Sequence, residues 1–374
     1  MLSRARSRAI VLAMLGTVLA GCEQATGPGD PLIMDAEAIL ADYQALDSVF
    51  TSQTMAGFKA MASGITFQSL GPEGELIRAS VESLLGAATG GAELLGSRSG
   101  AEAWFGGVGR LVHAMEPDVA KVPLISTFRR GKTFVYDPDL ARYVMDPDRE
   151  GAPPTGVRFI LYAPAGGRPD PTQEIGYADL TDEGDGIPKG VAFRLTVVEG
   201  EKTVLDYRTT VDVLARGGKV GVEGFIQGPH DRLTFAIGVE GRVGSEGSEV
   251  DIAFQMAMAN REFQVTGSLR GVNGVSGEGG HLNLAVTHRA HSFAVDLTGT
   301  DSTLRGAVEL NGRPFAIVSG HPDDPVITGP GGEPLKPLEI LALHRIVGVS
   351  AGVFALFRIL MDPLDNLLLL ALIL

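Results

Sequence analysis

The chain is poor in cysteine, aromatic residues and positive charge. It has one cysteine in 374 residues, aromatic residues make up 6%, and 45 acidic residues outnumber 31 basic ones. A disulfide within the chain is therefore excluded, so packing must stabilise the fold unaided. Nucleic acids and anionic headgroups require a basic patch, so we expect no nucleic-acid partner.

Long apolar runs are also absent. The longest stretch near the C-terminus, Ile346 to Phe357, lies between Arg345 and Arg358, and it is shorter than the ~20 residues that span a bilayer. Pro363 separates it from the apolar residues 364–374. Segments that are apolar all round predict buried helices, so we assign 337–374 to C-terminal helices that cover a sheet.

The N-terminus has the parts of an export signal. Arg4, Arg6 and Arg8 precede an apolar run over 9–20, and Leu19-Ala20-Gly21-Cys22 ends it with small residues before the only cysteine. This segment resembles the lipobox signal peptide of bacterial lipoproteins, and the resemblance covers residues 1–22 only. An ordinary secretory signal with a chance cysteine is the alternative.

The resemblance implies a mature chain that begins at Cys22, carries fatty acyl chains such as palmitate there, and is anchored to a membrane by them. Glu23 replaces the Asp that favours inner-membrane retention in this family. The implied location is the cell envelope, at the periplasmic face of the outer membrane if the organism has two membranes. Removal of 1–21 leaves 28 basic and 45 acidic residues, a net charge of −17.

Changes in composition and periodicity divide the chain. Apolar residues spaced three or four apart follow a breaker-rich stretch, and beyond Pro123 the pattern changes to alternation. The predicted parts are a signal peptide at 1–21, a lipidated tether at 22–33, a helical segment at 34–122 with one helix near 52–62, an antiparallel β-meander at 123–336, and the apolar helices at 337–374.

Alternation of apolar and small or polar residues dominates the meander. Val250, Ile252 and Phe254 point to one side of a strand while Asp251 and Ala253 point to the other. Short connections such as Arg289-Ala290 and Asn311-Gly312 predict hairpins between neighbouring strands. We expect strands near 132–136, 141–145, 157–162, 174–179, 190–199, 202–215, 218–227, 231–243, 248–259, 261–272, 280–289, 291–299, 303–311 and 313–319, with most of 163–189 as an exposed loop.

The predicted fold class is α+β and mainly β. It has one large, curved antiparallel meander sheet, half-barrel or barrel-like, with N-terminal helices, and the C-terminal apolar helices pack on its inner face. Candidate residues of the apolar face are Phe235, Ile237, Ile252, Phe254, Met256, Phe263, Val265, Leu284, Phe293 and Val295.

Catalytic and metal-binding patterns are weak. The Gly348 to Gly352 stretch matches G-x-S-x-G, but no histidine follows it as the hydrolase pattern requires. His281, His288 and His291 lack further ligands at suitable spacing, and we interpret them as exposed turn residues. The acidic loop from Asp179 to Asp185 departs from the EF-hand spacing. We expect no enzyme activity, no metal and no cofactor.

The leading functional hypothesis is a lipid-anchored envelope protein that binds or carries an apolar ligand, a lipid or acyl chain, between curved sheet and helices. One alternative is a structural or assembly lipoprotein with a fully packed core, which acts through protein–protein contacts with a partner that the sequence does not identify. Another is a membrane β-barrel, against which the low aromatic content argues.

Overall fold

The protein, described from a computed structural model, forms one large β-sheet. The structure describes residues 56–58, 60–61, 125–184, 191–214, 217–228, 231–244, 247–274, 277–300, 302–322, 324–336 and 340. The signal peptide, Cys22, the tether, the hydrolase-like motif, most of the segment 34–122 and nearly all of 337–374 lie outside these residues.

Within the described ranges, fifteen strands build the sheet. They are β1 (Lys132–Asp137), β2 (Arg142–Asp146), β3 (Gly156–Ala165), β4 (Arg168–Asp182), β5 (Val191–Glu199), β6 (Lys202–Leu214), β7 (Gly217–Gln227), β8 (Arg232–Gly244), β9 (Gly247–Met258), β10 (Phe263–Gly274), β11 (Gly277–His288), β12 (His291–Thr300), β13 (Leu304–Leu310), β14 (Arg313–His321) and β15 (Asp324–Thr328). A 3-10 turn, Ala259–Arg261, joins β9 to β10.

The strand order follows the chain almost everywhere. From β3 to β15 each strand pairs antiparallel with the next, which confirms the predicted meander. The exception is β1, which lies between β2 and β3 and runs parallel to β3. The two ends of this order, β2 and β15, do not pair with each other, so the described sheet is open and the barrel-like form is not closed.

The structure differs from the expected strands at two places. Residues 168–182 form the long strand β4, which contains the strand expected near 174–179 and extends into the expected loop; it leaves β3 through Gly166 and Gly167, both with positive φ. Pro169 and Pro171 made this stretch look like a loop, but β4 and β3 pair there with an irregular register that accommodates them. The edge strand β15, which begins at Asp324, was not among the expected strands, the last of which was 313–319.

Tight turns connect the strands of the hairpins. Asn311 and Gly312 both adopt positive φ between β13 and β14, as a two-residue hairpin turn requires. Arg289 also has positive φ between β11 and β12. The geometry of each short turn sets the register of its strand pair. The apolar pattern favours the same register, because a shift of one residue would move every apolar side chain to the other face.

One short helical stretch is described, and it contacts the sheet. Residues 56–58 and 60–61 are helical, within the helix expected near 52–62. Phe58 and Met61 are buried in the main hydrophobic core. A Cβ added to Gly57 would lie 2.6 Å from Ile175 Cδ1 and 3.0 Å from the carbonyl oxygen of Tyr162, so this glycine allows close approach to β3 and β4.

An aromatic cluster occupies the β1–β3 end of the sheet. The rings of Phe134 and Phe159 stack with centroids 5.3 Å apart, and Tyr143 meets Phe159 edge-on at 5.8 Å. Tyr143 is almost fully buried and donates a hydrogen bond to the carbonyl oxygen of Ile160 at 2.9 Å. Burial raises the pKa of Tyr143, so its phenol stays neutral.

Candidate functional site

The apolar face of the meander contains all ten predicted apolar-face residues. They lie in one hydrophobic core and are 0–8% exposed. Cross-strand pairing puts Phe235, Met256, Val265 and Phe293 in one row from β8 to β12, with β11 contributing Val286. The side chains are therefore brought together on one surface, as the alternation predicted.

Glycines on this face make room for large neighbours. Gly267 pairs with Phe254, and a Cβ added to Gly267 would lie 2.3 Å from the tip of that ring. Gly224 lies between Tyr207 and Phe235, whose ring centroids are 6.2 Å apart. Large side chains thus alternate with glycines along a row of the sheet, and each large side chain fills the space above a glycine. This alternation keeps the apolar face densely packed.

Two buried polar atoms on the apolar face, Thr209 Oγ1 and His291 Nδ1, have no hydrogen-bond partner among the described residues. Thr209 pairs with Val222 and is fully buried, yet its hydroxyl oxygen Oγ1 has no hydrogen-bond partner within the described coordinates. Burial of an unpaired hydroxyl costs about 1–3 kcal/mol. This cost marks Thr209 either as a defect of packing or as a point of contact for a polar ligand atom.

We expect Thr209→Val to raise the free energy of unfolding by about 1 kcal/mol, since valine keeps the shape and removes the unpaired hydroxyl. Denaturant titration of both proteins measures the difference. The matched control is Thr210→Val. Thr210 is the next residue of the strand and faces the opposite side of the sheet, so this substitution should change stability little. Destabilisation by Thr209→Val would show that the hydroxyl has a partner in the folded protein.

A groove crosses the opposite, polar face. It has a volume of about 590 Å³ and extends from β6 to β11. One row of its floor consists of residues that are opposite one another on successive strands: Thr210, Gly221, Gly238, Ala253, Ser268 and Asn283. A second row adds Arg208, Glu223, Ala236, Gln255 and Thr266. Sequence analysis missed this groove, although it recognised this face as small and polar.

Charged side chains beside the groove pair with one another. Arg242 pairs with Glu240, and Arg270 pairs with Glu249. On the same side of the row, His281 is opposite Arg270, and its Nε2 lies 3.2 Å from Asp296 Oδ1. Desolvation, together with the negative charge of Glu249, raises the pKa of Asp251. The flanks are thus largely neutralised by cross-strand and nearby pairs.

The acidic residues near 179–185 also form ion pairs. Arg158 makes two 2.7 Å hydrogen bonds to the carboxylate of Asp179 and lies 3.7 Å from the ring centre of Tyr177. Arg130 bonds Asp182 at 2.9 Å. Within the described ranges no group of three His, Cys, Asp or Glu side chains is placed to hold a metal ion.

The three histidines do not come together as a site. His281 is half-exposed on the polar face, whereas His288 is buried against Phe263 with ring centroids 6.3 Å apart. The interpretation of His288 as an exposed turn residue was wrong, because its place in the alternation puts it on the apolar face. It pairs across the hairpin with His291.

The described residues therefore define a protein with one open, largely antiparallel 15-stranded meander, apolar on one face and grooved on the other. No protein-family model matches the chain, and no curated protein or solved structure is significantly similar to it. Among helices in the part of the chain that is described, none is long and apolar enough to span a membrane.

Proposed function

We propose that this protein is a lipid-anchored envelope protein that acts through the polar face of its sheet while the apolar face forms its core. The main support for this proposal is the contrast between the two faces of the sheet. The ten apolar-face candidates are 0–8% exposed, whereas the opposite face carries an open groove. The lipobox-like residues 1–22 support the anchor. The packed core is that of the structural lipoprotein considered in the sequence analysis, and the polar face is the surface through which we propose that it acts.

The proposed cover of the apolar face is the C-terminal segment 337–374. Outside the strands, the described members of the buried core are only Phe58, Met61 and Ile125. Three side chains are too few to shield rows that extend across more than ten strands. The segment 337–374 is the most apolar part of the mature sequence, and burial against the sheet would remove its own side chains from water as well.

A second candidate function is the carriage of an apolar ligand between the sheet and this cover. The unpartnered hydroxyl of Thr209 favours it, because an ester or acid group of a bound lipid would accept the hydrogen bond. Organic extraction of the purified protein, followed by mass spectrometry, should then release a stoichiometric lipid. If extraction releases no lipid, and the only acyl groups found are those that stay covalently attached at Cys22, the carrier function is wrong.

We expect Cys22→Ser to abolish acylation and to move the protein from the membrane to the soluble envelope fraction. Incorporation of an alkyne-labelled palmitate and fractionation of a two-membrane host measure this. Glu23→Asp is the matched control, which should keep the acyl label but shift the protein to the inner membrane. Retention of the label by Cys22→Ser would contradict the proposed anchor.

A function through the polar face predicts a binding partner at that surface. Crosslinking of intact envelopes, followed by affinity purification, should recover a stoichiometric macromolecule with the wild-type protein. A variant that obstructs the groove should lose that macromolecule while it keeps its acyl label. Recovery of bound lipid alone would instead favour the carrier function.

A further inference from the structure

We propose that the polar-face groove binds an uncharged, hydroxyl-rich chain, a saccharide oligomer, laid across strands β6 to β11. The inference names a ligand class for the surface assigned under the proposed function, but it does not depend on the lipid anchor. It rests on the dimensions of the groove, on its uncommitted hydrogen-bonding groups and on the pairing of its charges.

The groove has the volume of a ligand site and an elongated shape. Its volume of about 590 Å³ lies in the range of small-molecule pockets. Six adjacent strands spaced about 4.8 Å apart give it a length of roughly 24 Å. Gly221, Gly238 and Ala253 follow one another along its floor, so a bound chain can approach the backbone closely.

Several hydrogen-bonding side chains that line the groove have no partner among the described residues. The side chains of Glu223, Gln255, Thr266 and Ser268 make no hydrogen bond to another described residue, and Glu223, Gln255 and Ser268 are exposed. Together they offer a carboxylate, an amide and two hydroxyls, so the groove both donates and accepts. Hydroxyl groups of a ligand also do both, which makes a polyhydroxylated chain complementary to this mixture.

Charge excludes the main competing ligands. Among the described residues that line the groove, Arg208 is the only one with a cationic side chain, and its Nε already bonds Glu183 Oε2 at 3.0 Å. Glu223 remains as an unpaired carboxylate, so the described groove offers no basic patch for a phosphate or sulfate polymer. A net-acidic chain disfavours such ligands further.

Extended peptides and lipids fit the groove less well. An extended peptide is recognised through backbone hydrogen bonds at a sheet edge and through pockets for alternate side chains. The groove lies on a sheet face, where the backbone groups of β6 to β11 already bond neighbouring strands. The side chains that project from this face into it, such as Ala236 and Thr266, form no continuous apolar surface for an acyl chain.

Gly238→Val tests the groove without disturbing the core. Among the described atoms none lies within 4 Å of a Cβ added to Gly238, and valine suits a strand better than glycine does. The variant should fold at least as stably as the wild type, and it places a branched side chain in the middle of the groove. Ala294→Val, on the same face at β12 and outside the groove, is the matched control.

The probes are chitopentaose and cellopentaose, added in millimolar amounts to the full-length protein in detergent and followed by calorimetry and saturation-transfer NMR. We expect the wild type and Ala294→Val to bind at least one oligomer, and Gly238→Val to bind it about tenfold or more weakly. Gln255→Ala should weaken binding with an unchanged melting temperature.

Three outcomes would overturn the inference. These are no binding of either oligomer by the wild type, binding that is equally strong in Gly238→Val, and stronger binding of the anionic polymer polygalacturonate than of either neutral oligomer. Loss of oligomer binding with intact acylation at Cys22 would refute this inference and leave the anchor in place. Intact oligomer binding by Cys22→Ser would show that the groove works without the anchor.

Discussion

A chain truncated after Lys336 is expected to lose the cooperative folding of its sheet. Each fully buried Leu, Ile, Val, Phe or Met contributes roughly 1.5–3 kcal/mol, so exposure of the ten apolar-face residues alone would remove roughly 15–30 kcal/mol. That upper estimate exceeds the 5–15 kcal/mol by which domains are typically stable. Circular dichroism during thermal unfolding and binding of a hydrophobic dye measure the loss.

The control for this truncation is deletion of residues 22–33, the predicted tether, which should leave the melting temperature unchanged. A second measurement adds the separate peptide 337–374 to the truncated chain, which should restore a cooperative transition if the segment covers the sheet. A truncated chain that unfolds cooperatively, with no dye binding, would show that the apolar face has another cover. The proposed architecture and the lipid-carrier function would then both fail.

Gly224→Ala is expected to destabilise the protein by about 3 kcal/mol or more, because the clash involves backbone and not only side-chain ends. The added Cβ would lie 2.1 Å from the carbonyl oxygen of Asp206 and 2.4 Å from the Cβ of Tyr207. Relief requires β6 to move away from β7, which would break paired hydrogen bonds and separate the rings of Tyr207 and Phe235. Denaturant titration measures the change.

Gly238→Ala is the matched control for Gly224→Ala. Both glycines lie in long central strands, but Gly238 faces the open groove with no described atom within 4 Å of its added Cβ. Alanine there should leave stability unchanged or raise it by about 0.5 kcal/mol, since it lowers the entropy of the unfolded chain. Equal effects of the two substitutions would contradict the close approach at Gly224.

Local chemistry made most strands predictable. The alternation at Val250 to Phe254 and the turn Asn311-Gly312 gave the type, face and pairing of their strands, because side-chain direction reverses at every residue of a strand. The same rule fails for β4, where two prolines within the strand resemble a loop. It also fails for β15, which is short and lies at the edge. Prolines tolerated at an irregular register cannot be recognised without the neighbouring strand.

The apolar face could be predicted from the sequence, whereas the groove could not. All ten apolar-face candidates follow from alternation alone, and the structure places them together. The groove, by contrast, depends on which residues of six strands are opposite one another. Gly221, Gly238 and Ala253 are separated by about 15 residues in the chain, and only their register makes them neighbours. The unpaired hydroxyl of Thr209 and the burial of His288 are visible only once partners are known.

The amino-acid sequence by itself determined that the chain is mainly β, which side chains share the apolar face, and that residues 1–22 resemble a lipoprotein signal. These properties depend on neighbours within about ten residues. Only the tertiary structure decided that the sheet is open, that β1 runs parallel to β3, and that small residues from six strands align into a groove. A hairpin turn and the alternation can set the register of two adjacent strands, but the alignment of residues across six strands and the order of β1, β2 and β3 depend on contacts between segments that are distant in the chain.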